Sequence, residues 1–85
     1  MDKEIEDFLK SYMFMRLGQA VSHGNWQVAM MTFKKMEKEI NRLDLKPMKS
    51  QLPGMRMAIS SKNKVQAKNM LALLVAKRVQ MLHEQ

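Results

Sequence analysis

Residues 17–36 read LGQAVSHGNWQVAMMTFKKM and contain the bend of a helical hairpin. Apolar residues recur at three- and four-residue steps on both sides of Ser22-His23-Gly24-Asn25, but the helical phase changes there. Gly24 can adopt a positive φ at no steric cost, and the side-chain oxygen of Asn25 can cap the helix that follows. These residues therefore predict two antiparallel helices joined by a short turn.

A second bend of the same kind follows later in the chain, at Ser60-Ser61-Lys62-Asn63. A shift of 38 positions places Ala20, Ser22, Asn25 and Ala29 on Ala58, Ser60, Asn63 and Ala67. A period near forty residues is typical of helical-hairpin repeats. We expect the second hairpin to pack its apolar face against the first.

The apolar periodicity predicts four helices, at about residues 2–22, 26–43, 51–61 and 64–83. Asp2 is the expected N-cap of the first helix, Ser50 of the third and Asn63 of the fourth. Pro53 falls in the first turn of the third helix, where no backbone N–H is needed. The expected fold class is all-α: a four-helix bundle built from two helical hairpins, in a single domain of residues 1–85.

The composition limits the class of protein. A chain of 85 residues buries only about 60% of its unfolded surface, and with no cysteine it has no disulfide to reinforce it. The N-terminal segment is acidic, unlike a secretory leader, and Asn69 to Ala76 is far shorter than the roughly 20 apolar residues that span a bilayer. We therefore expect a soluble, cytoplasmic protein that makes no membrane contact.

The net charge of +7 is confined to the second half of the chain. Residues 1–44 carry seven basic and seven acidic side chains, whereas residues 45–85 carry eight basic side chains and the single acid Glu84. Such an asymmetry indicates an anionic partner. The alternative is a solvated lysine surface that keeps a small protein soluble, and we favour it because a positive patch alone discriminates weakly between partners.

The first bend resembles the second half of a tetratricopeptide repeat, because Gly24, Ala29, Phe33 and Met36 stand at that family's spacing over about 25 residues. Leu17 occupies the place of the usual first-helix glycine, and Asn41 that of the closing proline. The resemblance implies a hairpin scaffold that binds peptides and has no enzymatic activity.

A second resemblance is to the M domain of the signal-recognition-particle GTPase, a helical, methionine-rich domain that binds RNA and apolar signal peptides. It rests on Glu6-Asp7-Phe8-Leu9, on Met36-Glu37 with Ile40-Asn41, and on Arg56-Met57-Ala58 followed by Ser61, Val65-Gln66, Asn69 and Leu71. Arg56 stands alone where that family has paired arginines, and Ser60-Ser61-Lys62 replaces its Gly-Ser-Gly turn. The 85 residues contain no GTPase segment.

The chain offers few residues for catalysis. His23 and His83 lie 60 positions apart, and neither forms a metal-ligand pair with a neighbour at helical spacing. Its three glycines, Gly18, Gly24 and Gly54, are too scattered to form a phosphate-binding loop. We therefore expect no catalytic residue, no cofactor and no metal site.

Methionine is the most over-represented residue, at 11 of 85 positions. Its flexible, polarisable side chain suits surfaces that accept varied apolar partners, but it also fills cores. Met13, Met36, Met55 and Met70 fall on the apolar stripes and are expected in the core.

Two classes of function remain. The first is a protein-interaction module that binds a protein, a peptide or a second copy of the chain. On helical projection each helix carries one large apolar side chain outside its core stripe, and together these four are expected to form an exposed contact patch: Phe14, Met31, Met57 and Leu73.

The alternative is binding of nucleic acid, RNA in particular, through the basic second half. The expected phosphate contacts are Arg56, Lys62, Lys64 and Lys68. All five aromatic residues lie in the first half of the sequence, away from this charge, so base stacking is not expected. Binding of this kind would be weak, independent of sequence and sensitive to salt.

Overall fold

The computed structural model describes residues 1–84, which form six α-helical segments and no strand. The segments are α1 Lys3–Leu9, α2 Met13–Ser22, α3 Trp26–Arg42, α4 Lys46–Lys49, α5 Leu52–Ser60 and α6 Lys64–His83. The all-α class is therefore confirmed. The expected domain of residues 1–85 also includes Gln85, which lies outside the described residues.

The four longest segments form a ring around one core. Helix α2 packs against α3 and α6, and α5 packs against the same two helices from the other side. Successive helices run in opposite directions, so the predicted bundle of two helical hairpins is confirmed. Its centre is a set of fully buried side chains: Leu17, Val21, Phe33, Met36, Ile40, Met55 and Leu74.

The methionines divide into two groups. Met36, Met48 and Met55 are completely buried in the core, as expected for Met36 and Met55, and Met13 and Met70 are partly buried against it. The exposed methionines are Met1, Met15, Met31 and Met57. Methionine side chains therefore fill part of the core and also form part of the exposed surface.

The first bend has the predicted geometry. Gly24 adopts φ 67°, its N–H donates to the Val21 carbonyl at 3.1 Å, and the N–H of Asn25 donates to the Ala20 carbonyl at 2.8 Å. This pair of bonds satisfies the last carbonyls of α2 in the Schellman arrangement. Asn25 then caps α3, since its Oδ1 accepts the N–H of Val28 at 3.2 Å.

The second bend repeats these hydrogen bonds at equivalent positions. Lys62 takes the place of Gly24, with φ 56°, and its N–H donates to the Ile59 carbonyl at 3.0 Å. The N–H of Asn63 donates to the Ala58 carbonyl at 2.8 Å, and its Oδ1 accepts the N–H of Gln66 at 3.1 Å. The 38-residue shift therefore relates two bends of the same structure.

A pair of substitutions tests the positive φ at both bends. We expect Gly24→Ala to destabilise the fold by about 1–2 kcal/mol, because a Cβ is unfavourable in the left-handed region. Lys62→Gly should stabilise it by about 0.5–1 kcal/mol, the relief of that strain less the added entropy of glycine in the unfolded chain. Urea unfolding of the two variants measures both changes. If the free energy of unfolding changed in the same direction in both variants, the equivalence of the bends would be contradicted.

The first and third predicted helices differ in how their N-termini are capped. Asp2 caps α1 as predicted, its Oδ1 accepting the N–H of Glu4 at 2.8 Å. Ser50 does not cap the third helix: the single turn of α4 places it at the C-terminal end of that turn, and Gln51 precedes α5 without a side-chain cap. Pro53 does lie in the first turn of α5.

The first predicted helix, about residues 2–22, is broken at Lys10-Ser11-Tyr12. In one continuous helix Phe8 and Phe14 would lie about 120° apart and could not both face the core. The break allows both to be buried, with their ring centroids 5.4 Å apart. Nε of Arg78 donates to the carbonyl of Leu9, which in a continuous helix would accept the N–H of residue 13.

Candidate interaction surfaces

Phe14 does not lie on the outer surface, so its expected role as an exposed contact is wrong. Its side chain is only 6% exposed, packs against Phe8, and is covered by the guanidinium of Arg78 at 5.6 Å from the ring centroid. The projection that placed it outside assumed a continuous helix through residues 10–12. The break changes the helical phase, so α2 buries Phe14 together with Leu17 and Val21.

The other three residues of the expected patch are exposed but are not brought together. Met31, 55% exposed, lies at the cleft between α2 and α3. Met57 and Leu73 belong to α5 and α6, the pair of helices on the opposite side of the ring. The single patch predicted from the sequence is therefore divided between two faces of the bundle.

Tyr12 is the most exposed large apolar residue of the described chain, at 82%. It stands in the break before α2 and lines two clefts. The cleft toward α3 has a volume of about 310 Å³, and the cleft toward α6 about 300 Å³. We call the apolar residues of both clefts, apart from the buried Phe14, the Tyr12 surface: Tyr12, Met13, Met15, Val28, Met31 and Val75.

The rim of the Tyr12 surface is positive. Arg16 and Lys35 line the α2–α3 cleft, both are exposed, and neither pairs with an acid within residues 1–84. No acidic residue lines either cleft. Lys10 lines the second cleft and forms an exposed ion pair with Glu6 at 3.8 Å. The Tyr12 surface thus combines apolar side chains with two cations that pair with no acid of residues 1–84.

The basic residues expected to contact phosphate fall into two groups. Arg56 donates to the Glu37 carboxylate and lies over the Phe33 ring, 5.4 Å from its centroid, so it serves the packing of α5 on α3. Lys62, Lys64 and Lys68 are exposed at the start of α6 and pair with no acid of the described chain. Three of the four expected phosphate contacts therefore lie at the second bend and the start of α6, and Arg56 does not.

The two bends lie side by side and form a cleft of about 550 Å³. Trp26 and Lys62 both line it. The expectation that the aromatic residues lie away from the basic half is wrong for Trp26, because the antiparallel hairpins bring both bends to one end of the bundle. The 38-residue equivalence was the signal that could have placed them together.

Within residues 1–84, no group of three His, Asp or Glu side chains converges in an arrangement that would hold a metal ion. His23 lies at the end of the bundle with the bends, and His83 ends α6 at the opposite end. Nor does this part of the chain contain a helix with the length and apolarity needed to cross a bilayer.

Comparison of the chain with protein-family models, with curated proteins and with solved structures finds no match in any of the three.

Proposed function

We propose that this protein is a non-enzymatic interaction module of the cytoplasm, which binds a segment of another protein on the Tyr12 surface. The observation that carries the proposal is the exposure of Tyr12 between two apolar clefts whose rim is positive. Tyrosine is enriched among the residues that dominate binding energy, and exposed methionines adapt to varied apolar partners.

The positive charge of the rim indicates which residue types a partner segment carries. Arg16 and Lys35 line the α2–α3 cleft, whose lining contains no acid of residues 1–84, so a complementary segment carries Asp or Glu next to its apolar anchors. An amphipathic helix with apolar residues at three- and four-residue steps has the shape to lie along a groove between two helices. Carboxylates of such a helix would meet Arg16 and Lys35 while its apolar face covers Tyr12 and Met31.

The same charges argue against a second copy of the chain as the occupant. Two Tyr12 surfaces placed together would oppose like charges from Arg16 and Lys35, in a protein whose net charge is already +7. We therefore expect light scattering to give a monomer. A dimer that Tyr12→Ser converts to a monomer would identify a second copy as the occupant and contradict the proposal.

Selection from a displayed library of random peptides tests the proposed partner. We expect the selected sequences to combine large apolar residues with Asp or Glu, and Tyr12→Ser with Met31→Ser to weaken their binding at least about tenfold, or about 1.4 kcal/mol. Met57→Ser is the matched control, since Met57 is also exposed but lies on the other side of the bundle. Peptides without acidic residues, or equal binding by all variants, would overturn the assignment.

A further inference from the structure

The cleft between the two bends combines an aromatic wall with a cationic rim. Trp26 is half-buried and packs against the core, which holds its indole in place at the cleft. Met30 and Ile59 supply further apolar lining, and Lys62 contributes the only charged side chain of the lining. Tyr12 itself lies at the other end of α2 from this cleft.

Lys62 occupies a position that does not favour lysine. Its backbone has φ 56°, a conformation that is unfavourable for residues with a Cβ, and the equivalent bend has Gly24 there. Residues held in such conformations are concentrated at functional sites. The chain therefore keeps a cation at the cleft where glycine would give a more stable turn.

The cations of the chain differ in their pairing, and those near this cleft share the lack of an ion pair within residues 1–84 with Arg16, Lys35 and Lys38. Lys10, Arg42, Lys49 and Arg56 each form an ion pair with an acid of the chain. The three lysines in and just after the second bend have no such partner among residues 1–84: Lys62, Lys64 and Lys68. Lys62 lines the cleft, and Lys64 and Lys68 lie four residues apart on one face of the first two turns of α6.

We infer that single-stranded nucleic acid binds at this end of the bundle. One base stacks on Trp26 in the cleft, and successive backbone phosphates contact Lys62, Lys64 and Lys68. An aromatic side chain beside a row of cations is the combination that single-stranded nucleic acids recognise, and stacking tolerates any base. Because three separate cations require several phosphates, the ligand is a strand and not a mononucleotide.

Trp26 is the only tryptophan of the chain, so its fluorescence reports on this cleft alone. We expect a short oligouridylate to quench it saturably at low salt. With three phosphate contacts, the logarithm of the binding constant should fall with the logarithm of salt concentration at a slope of about −2. Binding of a labelled oligomer without quenching of Trp26, or quenching by uridine monophosphate equal to that by the oligomer, would overturn the inference.

Lys62→Gly separates binding from folding, because it removes the cation while suiting the backbone of the bend. We expect it to weaken oligomer binding and to reduce the salt slope by about 0.7, the contribution of one phosphate contact. Lys38→Gln is the matched control, since Lys38 is an exposed lysine on α3 with no acidic partner in the described chain. Unchanged binding by Lys62→Gly, or an equal loss with Lys38→Gln, would show that the cleft is not the site.

Discussion

Replacing Phe14 with alanine is expected to lower the free energy of unfolding by about 3–5 kcal/mol. The ring is buried against Phe8 and beneath Arg78, so its removal leaves a cavity where α1, α2 and α6 meet. Urea unfolding followed by circular dichroism measures the loss. For a chain of this size such a loss is a large part of the total stability.

Met15→Ala is the control for this measurement. Met15 follows Phe14 directly but is 58% exposed, so its truncation should change stability by no more than about 0.5 kcal/mol. If Phe14→Ala were equally mild, the ring would have to lie outside the core. The break in the first helix would then be wrong as well, because it is what turns Phe14 inward.

Arg78→Met is expected to cost about 2 kcal/mol and to loosen α1 in particular. Its Nε donates to the carbonyl of Leu9 at the end of α1, and charge-assisted hydrogen bonds contribute roughly 1.5–3 kcal/mol. Methionine keeps most of the side chain's apolar bulk over Phe14 but cannot donate. Hydrogen exchange should therefore accelerate in α1 more than in α3, which does not depend on this bond.

Lys68→Met provides the comparison on the same helix. Lys68 is exposed and makes no ion pair within the described residues, so its replacement should leave exchange in α1 unchanged. Uniform acceleration in all helices of Arg78→Met would contradict a local role for Arg78. It would show instead that the arginine stabilises the bundle as a whole.

Much of the fold could be predicted because the residues at the bends determine their own geometry. Gly24, Asn25 and Asn63 act through bonds to residues within five positions, and a local pattern of this kind is legible in the sequence. The break at residues 10–12 has no such signal, since it contains neither glycine nor proline. It is imposed by the packing of Phe8 and Phe14 and by Arg78, which lies 69 positions from Leu9.

The candidate surfaces were harder to predict because they too depend on contacts between residues that are distant in sequence. A helical projection orders residues around one helix, but it does not specify which helices become neighbours. Phe14 was assigned to the surface because one continuous helical phase was assumed through residues 10–12. Trp26 and Lys62 are distant in sequence and meet only because two antiparallel hairpins place their bends at one end.

The division of the methionines between core and surface has a chemical consequence. Oxidation converts the thioether to a sulfoxide, which is polar, and exposed methionines react first. Met15 and Met31 belong to the Tyr12 surface, whereas Met36, Met48 and Met55 are shielded from solvent. Mild peroxide would therefore make the clefts beside Tyr12 polar while the bundle remains folded, and methionine sulfoxide reductases would restore them.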